Sequence, residues 1–503
     1  MKNKSKKLWG GAFEKSPSSE SIAFTAGRDV HSTNAADYEL LPYDVLVNKA
    51  HALMLYKQKI INKKDVKTIL KGLGEIQEMA EQDLFILDPN KEDVHTNIES
   101  WLTDKYGIEY AGKLHTARSR NDQANTDTAL YLKDQVGSFA LNLISLIDVL
   151  LLNAQKHKET IMPGFTHHQP AVITTFGHTL QAFASMLLRD VQRLLHWYDL
   201  HDFNPLGSMA SYGTSFPIDR EYTASLLGFK GPTNNSMDKI MNRWEAEADL
   251  AFAISVIMNH LSEIAQTFIL MSTIQFGMIT IADEFSTGSS VMPQKKNPDP
   301  LEVVKGKAAY VAGMLQGLLS IGTASFIGFN RETQWTKYMI IDVINESLAA
   351  PMIMKGVIET LNVNKKQMAF WCSKGFIGAT HFLEQLVVEN DIPFRKAKIM
   401  VEKAVKYSKG ENQITLKAFQ QAVKEEDISL SLSEESIRDW QDPHKIIGLL
   451  KSAGSPGISS FNQSYETLDK EKKQLQTIVQ AKLDARENSD KQIEHEVAII
   501  LSA

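Results

Sequence analysis

Proline is missing from two long stretches of this chain, between Pro232 and Pro293 and again between Pro300 and Pro351. A residue that breaks the hydrogen-bond ladder of a helix is thus absent where the chain reads as long helices. A helix of about 40 residues reaches roughly 60 Å at 1.5 Å per residue. That is longer than one compact domain needs. The expectation is a mostly α-helical chain whose long helices bundle, with the bundle shared between subunits.

The two stretches flank Ser286-Thr287-Gly288-Ser289-Ser290-Val291-Met292-Pro293-Gln294-Lys295-Lys296-Asn297-Pro298-Asp299-Pro300. Its glycine and serines suit a mobile loop, and its prolines suit a helix start. Two lysines and several hydroxyls aimed at a helix N-terminus would welcome an anion. A solvated helix–helix connector has the same composition, so both readings stand on these residues alone.

With 503 residues the chain can bury a large core in two or three domains. Its 43% apolar and 23% charged residues are ordinary for a globular protein. A net charge of −6 argues against a nucleic-acid or membrane-surface partner, since both want a basic face. It leaves room for an anionic small molecule, which needs only a few local cations. Cys372, the one cysteine, cannot form an internal disulfide. It fits a reducing compartment and a packing role. The basic start Met1–Lys7 runs into Leu8-Trp9-Gly10-Gly11 and a charged segment, not an apolar one, so no secretion signal is expected. The apolar runs Leu141–Leu152 and Leu250–Leu261 are short and polar-interrupted, so no membrane span is expected. These features together predict a cytoplasmic protein.

Along the chain, Leu40, Leu41, Val45, Leu46 and Ala50 recur at helical spacing, as do Val66, Ile69, Leu70, Leu73 and Ile76, with a helix start at Asn62–Asp65. His95 and Glu99 stand four apart, either as a surface pair or as an imidazole held by a carboxylate toward a polar site. Arg118, Ser119, Arg120 and Asn121 open a helix expected from about Asn121 to His157. Two arginines there suit carboxylates or phosphates. A solvated cap on Asn121 or Asp122 is equally compatible. Met162–Pro170 is a Pro/Gly-bounded turn carrying His167 and His168. Histidine titrates near neutrality and suits a general acid, though a structural turn explains it too. Further helices are expected over Thr174–His201, into the 286–300 stretch, from Pro300 to about Ser320, from Asn330 to about Pro351, and from about Tyr465 to the end. Composition shifts near Asn362–Thr380. The domains are read as 1–112, 113–365 and 366–503. No strong period-two strand pattern is visible.

Taken together, three ordered segments resemble the aspartase/fumarase superfamily in its argininosuccinate lyase form. They are Leu114-His115-Thr116-Ala117-Arg118-Ser119-Arg120-Asn121-Asp122, Gly164-Phe165-Thr166-His167-His168-Gln169 and Gly288-Ser289-Ser290-Val291-Met292-Pro293-Gln294-Lys295-Lys296-Asn297-Pro298. Lys7-Leu8-Trp9-Gly10-Gly11 and Asp93-Val94-His95-Thr96 are similar to the same family. The resemblance spans nearly the whole chain. It implies an all-α fold with a central long-helix bundle in a homotetramer, each active site being made from three subunits. It implies a carbon–nitrogen lyase of the amidine-lyase type, which releases fumarate from a succinate-bearing small molecule and needs no cofactor and no metal.

By the same resemblance Ser289 is the general base and His167 the acid that protonates the departing nitrogen, oriented by Glu302. Lys295 and Asn297 hold the aci-carboxylate dianion formed when the proton leaves, where concentrated donors count most. Ser21, His95, Arg120, Asn121, Thr166, Phe329, Gln334 and Lys337 match substrate-binding positions. The chain also departs from the family pattern. Phe329 lacks a tyrosine hydroxyl, and Trp335, Thr336 and Trp244 stand where the family has acidic side chains. A guanidinium-bearing leaving group wants acceptors. By the resemblance argininosuccinate is the first substrate expected, and these lost acceptors make another N-substituted aspartate the second. A non-catalytic structural protein, as in the lens crystallins of this family, is the reading from a different class.

Overall fold

The computed structural model describes residues 15–16, 18–26 and 34–502. The Lys7–Gly11 segment lies outside them. Labels are given to the elements that matter below, and shorter helices are named by residue.

A short helix α1 (Ser19–Ala26) precedes α2 (Ala36–Lys57), α3 (Lys63–Glu81) and α4 (Val94–Tyr106). The helix α5 spans Arg120–Lys156 and is followed by a hairpin of β1 (Ile161–Thr166) and β2 (Gln169–Thr175). Then come α6 (Phe176–His201), α7 (Glu245–Ser272), α8 (Asp299–Ile321), α9 (Trp335–Ser347) and α10 (Ala350–Thr360). The final helix α11 runs from Ile458 to Ser502, 45 residues. The architecture is helical, as expected, with a central bundle of α5, α6, α7 and α8 packed side by side.

The bundle forms because each long helix carries apolar residues on more than one side. Phe139 and Leu143 of α5, Phe176 and Leu187 of α6, Phe268 and Leu261 of α7, and Val304 and Val311 of α8 all enter one core. Fully burying a side chain of this size contributes about 1.5–3 kcal/mol. α5 and α7 are long and apolar enough to cross a membrane, yet much of their apolar surface is buried in this bundle. α11 lies along α2, α3, α5 and α6. It sits close because Gly137 faces Leu483, where a Cβ would fall 2.5 Å from a leucine methyl. A separate apolar cluster, with Phe382, Leu386, Met400 and Phe419, lies where the composition changes. Cys372 is buried, and burial pushes its thiol up to about 12.

Local chemistry sets the helix ends. Asn62 and Asp65 form a reciprocal capping box at the expected start of α3. α5 begins one residue earlier than expected, and its cap is Ser119 rather than Asn121 or Asp122. Ser119 and Asp122 bond each other's backbone N–H groups, which leaves Asn121 free of the capping role. α7 ends at Ser272, well short of the 286–300 stretch. The helix expected from Asn330 to Pro351 is two helices, because Pro351 starts α10 as a first-turn residue. The β1–β2 hairpin is a further correction. Its strands carry Pro163 and Pro170 and a bulge at Gly164/Phe165, so no clean alternation marks them.

Candidate active site

A cleft of about 730 Å³ opens beside the start of α5. His95, Arg120, Asn121, Phe329, Gln334 and Lys337, read from three separate sequence segments, all line it. Arg120 and Asn121 are first-turn residues of α5, placed by the Ser119 cap. His95 comes from the first turn of α4, capped by Asp93, which accepts from the Thr96 N–H at 2.8 Å. Phe329, Gln334 and Lys337 come from the turn leading into α9 and from its first residues.

Arg120 and Lys337 are already met by acids. The Arg120 guanidinium lies 3.1 Å from Asp93 and 3.3 Å from Glu92. Lys337 pairs with Asp37. His95 pairs with Asp44 at 2.9 Å, not with Glu99, which faces His115 at 3.5 Å. The sequence reading of His95 as an imidazole held by a carboxylate thus stands with a different partner. Asp44, Asp37, Asp93 and Arg243 were missed as members of this site. The available signal was a run of polar residues, Asp44, Asn48, Lys49 and His51, inside the otherwise apolar α2.

Behind the cleft, Asp122 ties α5 to the Gly207–Gly213 loop. It accepts from the backbone N–H groups of Gly207 (2.9 Å) and Met209 (2.8 Å) as well as from Ser119 (2.8 Å). Of the four departures from the family pattern, only Phe329 lines the cleft. Trp335 is 64% exposed and lies outside it. Thr336 is buried and gives its hydroxyl to the Thr333 carbonyl at 2.9 Å, with Glu247 3.4 Å away. The Trp244 ring packs against Gly322. Beside Phe329, Gly328 adopts φ +83°, and a Cβ there would fall 2.9 Å from the Tyr212 hydroxyl.

Thr166 and His167 stand at the tip of the hairpin, exposed. Thr166 pairs with Gln169, so His167 and His168 are the two turn residues. Both adopt left-handed backbone, with φ of 52° and 61°. That matches the mirror-image turn that two-residue hairpins favour. Phe165 meets Phe276 edge to face, with centroids 5.8 Å apart, which fixes the hairpin to the segment just past α7.

The 286–300 stretch is a small antiparallel loop in which Thr287–Gly288 pairs with Lys296–Asn297. At its tip the Ser289 hydroxyl oxygen accepts from the N–H groups of Met292 (2.9 Å) and Val291 (3.2 Å). Two donors on that oxygen favour its anionic form. Lys295 is exposed and Lys296 pairs with Asp283 at 2.6 Å. The start of α8 does not offer the free N–H groups expected of it. Pro300 has none, Leu301 and Glu302 turn theirs to the Pro298 carbonyl, and Asp299 and Glu302 bring acid to the first turn. Glu302 lies with Thr25 and Lys307 in a second groove of about 710 Å³, and α1, with buried Ser21, packs on α8. Among the described residues no hydrogen bond joins His167 to Glu302.

The named residues therefore divide between two ends of the bundle. Arg243, just before α7, borders the cleft, and Phe276, just after α7, touches the hairpin. The 28 residues of α7 set these about 40 Å apart. Gly322 after α8 sits against Trp244 before α7, so α8 runs back and carries Ser289, Lys295, Asn297 and Glu302 to the hairpin end.

Among the described residues, Asp44, His95 and Asp127 bring one ligand-type atom each within 4.8 Å of one another. The His95 Nδ1 already donates to Asp44, and the buried Arg118 guanidinium supplies positive charge to both acids. Asp44 is hydrogen-bonded to His95 and Gln123, and Asp127 lies beside them with both oxygens unpartnered.

Comparison with known proteins gives a consistent neighbourhood. Residues 25–313 match the protein family described as Lyase. The argininosuccinate lyase of Campylobacter jejuni (strain RM1221) is 40% identical over 405 residues, covering 80% of this chain and 86% of that protein. The argininosuccinate lyase of Desulforamulus reducens is 38% identical over 470 residues, covering 93% and 99%. Among solved structures, EDDS lyase in complex with formate superposes with a TM-score of 0.86 at 27% identity, over 97% of each chain. A class II fumarase from Schistosoma mansoni shares the fold, with a TM-score of 0.69 at 16% identity over 86% and 95%.

Proposed function

Because this chain belongs to the argininosuccinate lyase family, we propose that it cleaves argininosuccinate reversibly into arginine and fumarate. The observation that carries this reading is the cleft. Six residues from three distant segments meet there, and the cleft holds cations for carboxylates and, in Asp37, Glu92 and Asp93, acids for a guanidinium. Arg120 and Lys337 bind substrate carboxylates by exchanging their present acidic partners. The displaced Asp93, Glu92 and Asp37 then face the cationic end of the substrate. Asn121, Gln334 and His95 add hydrogen-bonding groups, and Phe329 adds an apolar wall.

Ser289 takes the proton from the carbon beside the carboxylate. Its two backbone donors prepare the oxygen for that work. Lys295 and Asn297 stabilise the resulting dianion, Thr166 and Ser21 position the substrate, and His167 gives the leaving nitrogen its proton with Glu302 as partner. This chemistry requires the hairpin end of one subunit to meet the cleft end of another. The separation along α7 supports a homotetramer with shared sites, as does the exposure of Thr166, His167 and Lys295. The lone buried thiol of Cys372 supports a cytoplasmic setting.

A second reading keeps the chemistry and changes the amine. It rests on Phe329, which brings an apolar ring to the cleft where the family's pattern has a hydroxyl. Assay of the purified chain on argininosuccinate separates the two. Stoichiometric arginine and fumarate support the first. No turnover, with retained addition of other amines to fumarate, overturns it. A mass in light scattering equal to one chain would overturn the shared site.

A further inference from the structure

His95 reaches the cleft from a buried acidic pair. Its Nδ1 lies 2.9 Å from Asp44 Oδ1 and 3.6 Å from Asp127 Oδ2. Asp44 Oδ1 also accepts from the Gln123 amide. The remaining oxygen of Asp44 and both oxygens of Asp127 are buried and meet no hydrogen-bond partner. Each acid is fully buried. Two carboxylates this close in a dry site cannot both carry charge without a large penalty. The charges around them do not cancel two anions. Arg118 is one buried cation shared among Asp44, Asp122, Glu99 and Asp127, Arg243 is a second, and Asp37 adds another negative charge from α2. A single proton relieves both problems. It neutralises one acid and joins the free oxygen of Asp44 to one oxygen of Asp127 by a hydrogen bond. Burial and the neighbouring Asp44 hold the Asp127 carboxyl well above the usual range, so Asp127 is its seat.

We propose that Asp44 and Asp127 share one proton, and that the pair fixes His95 with Nδ1–H turned inward and Nε2 presented to the cleft as an acceptor for a substrate N–H group. Asp44 is ionised and can only accept, so Nδ1 must donate to it. The lone pair on Nε2 then repels a carboxylate and welcomes an N–H of the substrate's amidine portion. Asp44 and Asp127 are positioning residues. They act through His95 and select for a nitrogen-bearing leaving group. The identity of that group rests on the function proposed above, whereas the shared proton does not.

Asp127→Asn and Asp44→Asn test this together. The asparagine amide copies the shape of a protonated acid and donates to Asp44. Asp127→Asn should therefore cost less kcat/KM than Asp44→Asn does. Asp44→Asn removes the charged acceptor that holds Nδ1–H and should lower kcat/KM by about 30-fold or more, chiefly through KM. The wild-type-minus-Asp127→Asn infrared difference spectrum at neutral pH should show a carboxylic-acid C=O band. Equal losses in the two variants, or no such band, would overturn the proposal, as would a stoichiometric divalent metal in the purified protein. If the wild type fails to cleave argininosuccinate, the proposed function fails and the infrared band still decides the shared proton.

Discussion

Arg120 reaches back from the first turn of α5 to Asp93, 3.1 Å away, at the cap of α4. The guanidinium is half exposed, so this ion pair stabilises the fold little. Its importance lies in what it withholds: a substrate carboxylate must compete with Asp93 for the same donors. Arg120→Lys keeps the charge but loses the planar fork. We expect KM to rise about tenfold or more with kcat less affected, since the planar fork bonds a carboxylate twice and an ammonium once. Steady-state kinetics on argininosuccinate check this.

Phe329 offers a second test, because it lines the cleft without a phenol hydroxyl. Phe329→Tyr should raise kcat/KM for argininosuccinate about three- to tenfold, the worth of one added hydrogen bond.

The hairpin separates catalysis from backbone strain. His167 and His168 pay the same left-handed φ, and only His167 is assigned a proton. His168→Gly should stabilise the fold by about 1 kcal/mol, read as a higher Tm, and leave turnover near wild type. His167→Asn should lower kcat by on the order of 10²–10⁴, the usual worth of general acid catalysis. A loss below about tenfold would remove His167 from that role.

Glu247 predicts a pH dependence. Burial pushes its carboxyl up to about 7 against the opposing pull of Arg243. A raised folded-state value means that the folded chain binds more protons than the unfolded one. This group's stability is therefore present below the unfolded value of 4.5 and is lost as pH rises toward about 7. The full loss is on the order of 3 kcal/mol. Glu247→Gln should flatten that slope, so that its Tm relative to wild type climbs between about pH 5 and pH 8. An unchanged slope would place the titrating group elsewhere.

Much of this protein is legible in its residues for physical reasons. Helical periodicity and missing prolines point to the bundle, because nothing else satisfies such long apolar stripes. His95, Arg120 and Asn121 are readable as candidates because they are polar clusters at helix starts, whereas Gln334 and Lys337 follow from the family resemblance. Asp44 is not readable in that way. Its role depends on α2 and α4 lying side by side, a contact between residues 51 positions apart. The hairpin is hidden too, because a bulge and two prolines erase the alternation that marks a strand. Trp335 and Trp244 look alike as departures in sequence, yet one faces solvent and the other fills the space over Gly322.

The separation of the two residue sets along α7 has a consequence for inheritance. A defect at Arg120 and a defect at Ser289 spoil opposite ends of the molecule. With sites shared between subunits as proposed, chains carrying one defect each, produced together, pair an intact cleft with an intact loop in a fraction of assemblies. Two alleles that are each inactive alone would then restore part of the activity in combination.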